Sequence, residues 1–233
     1  MHRNAPRTVR LLACAAVALP VLLAAGCSSD SGDGGKDSDS TSPSASKGAP
    51  TKAAPARFKK LPDSCKSVAK GTIKDLVPKT DNASGKRVGS GDTNDSNSCL
   101  WSGLDKYDYR QLTVSLKRFD SDTSLGSGDK RAQQYLDQQA GETLSDKDNK
   151  KTKQDSVDDV GEQATGISYE VRKKDSKGKA EDFTGERLVG RTANAVVTVD
   201  YEGAGFEDGK TPKLGDLKKK ARKAANEVIS HIS

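Results

Sequence analysis

Among the first 57 residues, the large apolar ones cluster in a single run, and that run is built like a segment removed on export. Any fold must therefore come from the chain beyond it. Met1 to Arg10 carries Arg3, Arg7 and Arg10 and no acid; Leu11 to Ala25 is uncharged and mostly apolar; Gly26 and Cys27 close the stretch. A charged head, an apolar run and a small-residue end make a secretory signal peptide over residues 1–26. The run is short of the ~20 residues a spanning helix needs, and Pro20 breaks it. Ser28 to Arg57 then holds no aromatic and no aliphatic residue larger than alanine. Such a tract cannot bury enough surface to offset the entropy of ordering, so residues 27–57 read as a flexible tether. Some 30 residues of this kind reach ~30 Å r.m.s.. Its aspartates lack the D-x-D-x-D-G order and closing glutamate of a calcium loop. Residues 58–233 form the remaining, extracytoplasmic domain, long enough for a core.

The stretch "LAAGC", Leu23 to Cys27, resembles the lipobox of bacterial lipoprotein precursors. That resemblance implies a diacylglyceryl group on the Cys27 thiol and a cut between Gly26 and Cys27. It departs in having Ala24 where leucine is commonest, with Leu23 one place earlier. The alternative is an ordinary secreted protein with Cys27 a spare thiol. The expected location is the outer face of the cell membrane, held by lipid on Cys27. Loss of residues 1–26 removes three arginines and no acid, leaving 36 basic against 33 acidic residues. The basic balance of the precursor is thus partly a property of the signal, and it gives little support for a nucleic-acid partner. Cys14 leaves with the signal and Cys27 takes the lipid. Cys65 and Cys99 remain in an oxidising compartment, where a disulfide is the default. It closes a loop of about 35 residues and contributes roughly 3–4 kcal/mol on the chain-entropy model. Two isolated cysteines and one distant histidine offer no metal-ligand spacing.

Apolar residues are few enough in the domain to read singly. "SCKSVAKGTIKDLVP" (Ser64–Pro78) places Val68, Ala69, Ile73, Leu76 and Val77 on one helical face, with Pro78 as a stop. Lys79–Ser98 reads as loop with a short strand near Val88, and Cys99–Gly103 as the end of a strand. Tyr107–Phe119 alternates, with Leu112, Val114 and Leu116 on one side, as in a half-buried antiparallel strand. Asp129–Gly141 has helical spacing in Ala132, Tyr135 and Leu136, and Leu144–Ser156 reads as a charged loop. Gly166–Lys174, Asp182–Arg191 and Ala195–Glu202 make an antiparallel meander joined by short turns. Lys213–Ile232 carries one apolar stripe: Leu214, Leu217, Ala221, Ala224, Ala225, Val228 and Ile232. The expectation is an α+β domain, an antiparallel sheet of about five strands with helices packed on one face and one disulfide.

The frame "LPDSC" (Leu61–Cys65), "SCLWS" (Ser98–Ser102), "VDDVGEQA" (Val157–Ala164), a strand pair and a C-terminal helix resembles a group of actinobacterial envelope lipoproteins. Their domain is classified only as of unknown function. The resemblance implies a Cys65–Cys99 bridge with Trp101 in the core beside it, and it supplies no activity. "VDDVGEQA" departs from the commoner Val-x-Gly-x-Gly-Asp form, having Asp159 where glycine is usual and Glu162 where aspartate is usual.

Catalytic groups are scarce. His2 leaves with the signal, and His231 falls in the last helical turn as a helix-end cation. One histidine makes no Ser-His-Asp or Cys-His set, and no phosphate-loop or nucleophile-elbow pattern occurs. Trp101 has two roles open to it, core beside the bridge or floor of a ligand groove. Tyr107 and Tyr109 read as same-face strand tyrosines, serving cross-strand packing or an amphipathic contact patch. Lys218, Lys219, Arg222 and Lys223 lie opposite the stripe of the last helix, either as a solvated face or as a contact for anionic polymer or lipid headgroups. Stacking aromatics for nucleic acid are missing. The expected function is a non-enzymatic, membrane-anchored envelope module that binds a cell-wall polymer, a lipid or an envelope protein. No cofactor or metal is expected. Two other readings stand beside it: a carrier for an apolar or lipidic molecule held between sheet and helices, and a hydrolase using two carboxylates in one cleft.

Overall fold

Alternation lays down the centre of the sheet. Leu112, Val114 and Leu116 are buried with Val197, Val199 and Tyr201 of a neighbouring strand, while the residues between them turn to the other face. The computed structural model describes residues 53–89, 93–174 and 178–232, all within one compact unit. The elements run α1 (Lys70–Leu76), β1 (Lys86–Val88), β2 (Ser96–Asp105), β3 (Asp108–Arg118), α2 (Gly128–Ser145), β4 (Asn149–Ser156), β5 (Gln163–Lys174), β6 (Ala180–Thr192), β7 (Ala195–Gly205) and α3 (Leu214–Ser230). The signal peptide, Cys27 and all but the last few residues of the tether lie outside the described residues.

The fold is α+β, with one antiparallel sheet in the order β1-β2-β3-β7-β6-β5-β4. It has seven strands rather than about five. The strand that escapes the sequence is β4, "NKKTKQDS", which replaces the expected loop. It is an edge strand none of whose residues is fully buried, so no apolar period of two marks it. Helix α2 also runs past Gly141 to Ser145, its N-terminus capped by Ser127, whose side chain accepts from the Lys130 amide.

Helices occupy both faces of the sheet, not one. On one face α1 and α3 bury Ile73, Leu76, Leu217, Ala221, Ala224, Ala225 and Val228 against Trp101, Leu112, Val114, Leu188, Val197 and Val199. On the other, α2 sets Ala132 and Leu136 on Val189 and Val196, with Phe119 and Tyr135 beside them. Neighbours Leu188 and Val189 belong to opposite clusters, as successive side chains of a strand must. The two helices of the first face are also stitched together. Glu227 of α3 accepts from the Ala69 amide at 3.0 Å and from the Thr72 hydroxyl at 2.6 Å, capping α1, which has no side-chain cap of its own.

Cys65 and Cys99 are disulfide-bonded across 34 residues of sequence. Trp101 lies beside the bridge at 1% exposure, and its indole N–H donates to the Ala83 carbonyl. Gly85, with φ of 73°, closes over both: a Cβ there would collide with the Cys99 sulfur and stand 2.6 Å from the indole ring. In the Val157–Ala164 turn, Asp159 has φ of 58°, a left-handed conformation that glycine adopts more readily.

Candidate functional site

The face that carries α2 is only partly covered by it. Beyond α2, sheet register assembles a row of polar residues. Gln111 of β3 stands opposite Glu202 of β7, Glu202 opposite Gly185 of β6, and Gly185 opposite Tyr169 of β5. Directly paired residues share a face. Gly185 leaves room for Tyr169 to lie across it toward β7; a Cβ at 185 would fall within 2.6 Å of the tyrosine Cε2. The Tyr169 hydroxyl donates to Glu202 Oε2 at 3.4 Å, Gln111 Nε2 donates to Glu202 Oε1 at 3.3 Å, and the Tyr109 hydroxyl donates to Gln111 Oε1 at 2.8 Å. Glu202 is 5% exposed. Its charge is met by Lys173 of β5, whose Nζ lies 2.5 and 2.6 Å from the two carboxylate oxygens.

Two of the clefts on this face have Lys173 in their walls. The first, about 240 Å³, is lined by Tyr109, Gln111, Lys173, Glu181, Phe183, Glu202 and others. Its aromatic side is a cluster: Tyr109 stacks on Phe206 at 5.6 Å between centroids and meets Phe183 edge-on at 5.9 Å. The Lys173 ammonium lies 5.1 Å over the Phe183 ring. The second cleft, about 520 Å³, runs from Lys173 past Tyr169 and Arg187 to Thr143 and Asn149 at the end of α2. Arg187 is fixed there by Asp200 at 2.5 Å and by the Thr143 hydroxyl at 3.1 Å. Burial pushes the Tyr109 phenol up, and the Glu202 charge adds to that. The Tyr169 phenol is pushed up further for the same two reasons. Both stay protonated and serve as donors.

Of the residues singled out in the sequence, only Tyr109 belongs to this site. Tyr107 does not share its strand face: it falls in the two-residue turn between β2 and β3 and is exposed. Trp101 is in the core on the other face, so it floors no groove. The cationic side of α3 is largely neutralised. Lys218 pairs with Asp155, Arg222 with Asp159 at 2.8 Å and Lys223 with Asp75 at 3.2 Å; Lys219 is exposed beside them. Glu202, Lys173, Tyr169 and Phe183 went unread because they come together only through the register of four strands. The available signal was weak: a glutamate and a glycine closing the last strand's apolar run, and a lysine pair ending β5. Among the described residues no three or more His, Cys, Asp or Glu side chains gather as a metal site, and no helix is long and apolar enough to cross a membrane.

No protein-family model matches this chain, and no curated protein matches it by sequence. Two solved structures are similar. One is LpqN, involved in cell envelope biogenesis of Mycobacterium tuberculosis, at 13% identity over 61% of this chain and 82% of that one, with a TM-score of 0.31. The other is the lipid transfer and protein localization domain of human StarD13 (DLC2), at 10% identity over 63% and 89%, with a TM-score of 0.20. Both superpositions are loose, and neither protein's properties carry over to this chain.

Proposed function

We propose that this chain is a lipid-anchored protein of the cell envelope whose domain is a non-enzymatic binding module, with the open part of the α2 face as its contact surface. The lipobox-like "LAAGC", the polar tract after it and the resemblance to actinobacterial envelope lipoproteins support the anchored location. The binding face rests on one observation: beyond α2, buried charges and aromatic rings line two clefts that share Lys173. Aromatic side chains with a few convergent polar groups around a concavity are the usual form of a ligand site.

The carrier reading needs space between the sheet and the helices. Under α1 and α3 that space is filled by Leu76, Leu112, Val197, Leu217 and Ala221 at 0–1% exposure; between α2 and the sheet a cleft of about 340 Å³ remains, with Leu136, Ala140, Leu144, Gln154 and Thr165 in its walls. The hydrolase reading needs two acids in one cleft, and Glu181 and Glu202 do share one. Each is tied to a lysine, Glu181 to Lys179 at 2.7 Å and Glu202 to Lys173, an arrangement of two ion pairs rather than of an acid set against a base.

Two experiments test the proposal. Globomycin, which blocks the lipoprotein signal peptidase, should leave the precursor uncut; normal processing with no lipid mass on Cys27 would remove the anchor. Titrating isotope-labelled domain with solubilised envelope fractions should shift amides of β3, β5, β6 and β7 around Lys173. Shifts confined to α3 or to the β2–β3 turn would overturn the binding face.

A further inference from the structure

The first cleft already holds an ammonium group, the domain's own. Lys173 sends Nζ to both oxygens of Glu202 and lies over the ring of Phe183, so the pocket shows what it accommodates: a cation between a buried carboxylate and an aromatic wall. The two partners differ in how they are held. Glu202 is fixed, with its side chain 6% exposed and further bonds from Gln111 and Tyr169. Lys173 is 42% exposed on its side chain and, among the described residues, is held at its far end by Glu202. A long unbranched chain of this kind can swing out into water, which the carboxylate cannot do. Glu181, whose side chain is 17% exposed, lines the same cleft and pairs with Lys179 at 2.7 Å. At Glu202 a lysine that can leave thus covers a carboxylate that cannot, next to Tyr109, Phe183 and Phe206.

We infer that this cleft is a binding site for an organic ammonium group, a primary amine on an apolar or aromatic stem, which Lys173 occupies until such a ligand displaces it. The inference rests on the α2 face being the contact surface and adds the chemistry of what it takes. The incoming ammonium inherits the two Glu202 oxygens and the face of Phe183, and its stem lies against Tyr109 and Phe206. Displaced, the Lys173 ammonium returns to solvent at the rim. An internal competitor lowers the apparent affinity by the fraction of time the site is open. Removing the competitor should therefore raise affinity, while removing the carboxylate should abolish it.

n-Butylammonium reproduces the lysine side chain, and n-butanol is its neutral counterpart. In the intact domain, n-butylammonium should perturb the ring signals of Phe183, Phe206 and Tyr109, and n-butanol should not. Lys173→Ala should bind the amine more tightly than the parent, about tenfold for a site that Lys173 leaves open roughly a tenth of the time. Glu202→Gln should lose the binding. Lys173→Gln, which keeps a polar stem, serves if the alanine variant does not fold. Equal ring perturbation by amine and alcohol would overturn the ammonium inference and leave the contact surface standing. No perturbation by the amine in the parent and the lysine variants alike would also overturn it, as would amine binding that survives Glu202→Gln.

Discussion

Glu186 lies on the α3 side of β6 with 2% of its surface exposed, and its Oε2 has no hydrogen-bond partner. Burial raises its pKa to about 7; Lys218 pulls it down and the Asp155 carboxylate pushes it up by lesser amounts. The ordinary value is 4.5, so between there and about 7 the folded chain holds a proton that the unfolded chain has lost. Stability then falls as pH rises through that window, by on the order of 3 kcal/mol at most. Asp120, Asp122 and Asp155 have lowered values and act the other way, below the ordinary 3.8, outside this window. Urea unfolding of the parent should therefore lose midpoint from about pH 5 to about pH 8, and Glu186→Gln should remove that loss. An identical decline in both chains would assign it to other groups. Gly185 makes a second case. Its place opposite Tyr169 admits no Cβ, so Gly185→Ala should destabilise by roughly 1–3 kcal/mol and free the Tyr169 hydroxyl from Glu202. A thermal midpoint unchanged from the parent would contradict that packing. Neither residue stands out in the sequence, because a strand buried on both sides shows no polar face against which an odd glutamate or glycine could be judged.

Among the elements, the turn between β6 and β7 does more than reverse the chain. Asn194 is fully buried there; its Oδ1 accepts from the Phe58 amide at 2.8 Å, and its Nδ2 donates to the Phe58 and Phe119 carbonyls at 3.0 and 2.9 Å. One side chain thus pins the start of the domain and the end of β3 to the middle of the sheet. Asn194→Ala leaves three buried backbone groups without these partners, a loss of ~1–3 kcal/mol for each group that water cannot reach. Hydrogen exchange should then rise at Phe58 and Phe119 before it rises in β7; uniform protection would refute the clasp. "TAN" was legible as a turn and its clasp was not, since the partners lie 136 and 75 residues away. The same limit governs larger elements. Strands with an alternating or continuous apolar run were legible, as were the α3 stripe and the bridge, while the residues alone left Trp101 open between core and groove. β4 was not, because an edge strand guarded by lysines has the composition of a loop. Nor could the sparse stripe of α2 say which face it would take, a matter settled by Val189 and Val196 in strands read as one-sided.

At the scale of the whole molecule, two features are candidates for holding the domain at a membrane: the lipid proposed on Cys27 and the cations of α3. The folded domain weakens the second. Asp75 of α1, and Asp155 and Asp159 at the end of β4 and in the turn after it, meet Lys223, Lys218 and Arg222. A lysine free to face anionic lipid contributes ~1 kcal/mol, and one already paired contributes less of it, in a form that salt screens within ~3 Å at 1 M. The acyl chains of the proposed anchor would contribute ~0.8 kcal/mol for every buried CH₂, which salt does not touch. The full chain should therefore stay with the membrane fraction through a wash in about 1 M salt. Replacing residues 1–27 with a signal that is cut without lipidation should send the same domain into the medium at low salt. If that unlipidated chain instead stays on the membrane and leaves only with salt, the α3 cations are the anchor. The ion pairs that occupy those cations would then have to open at a charged surface.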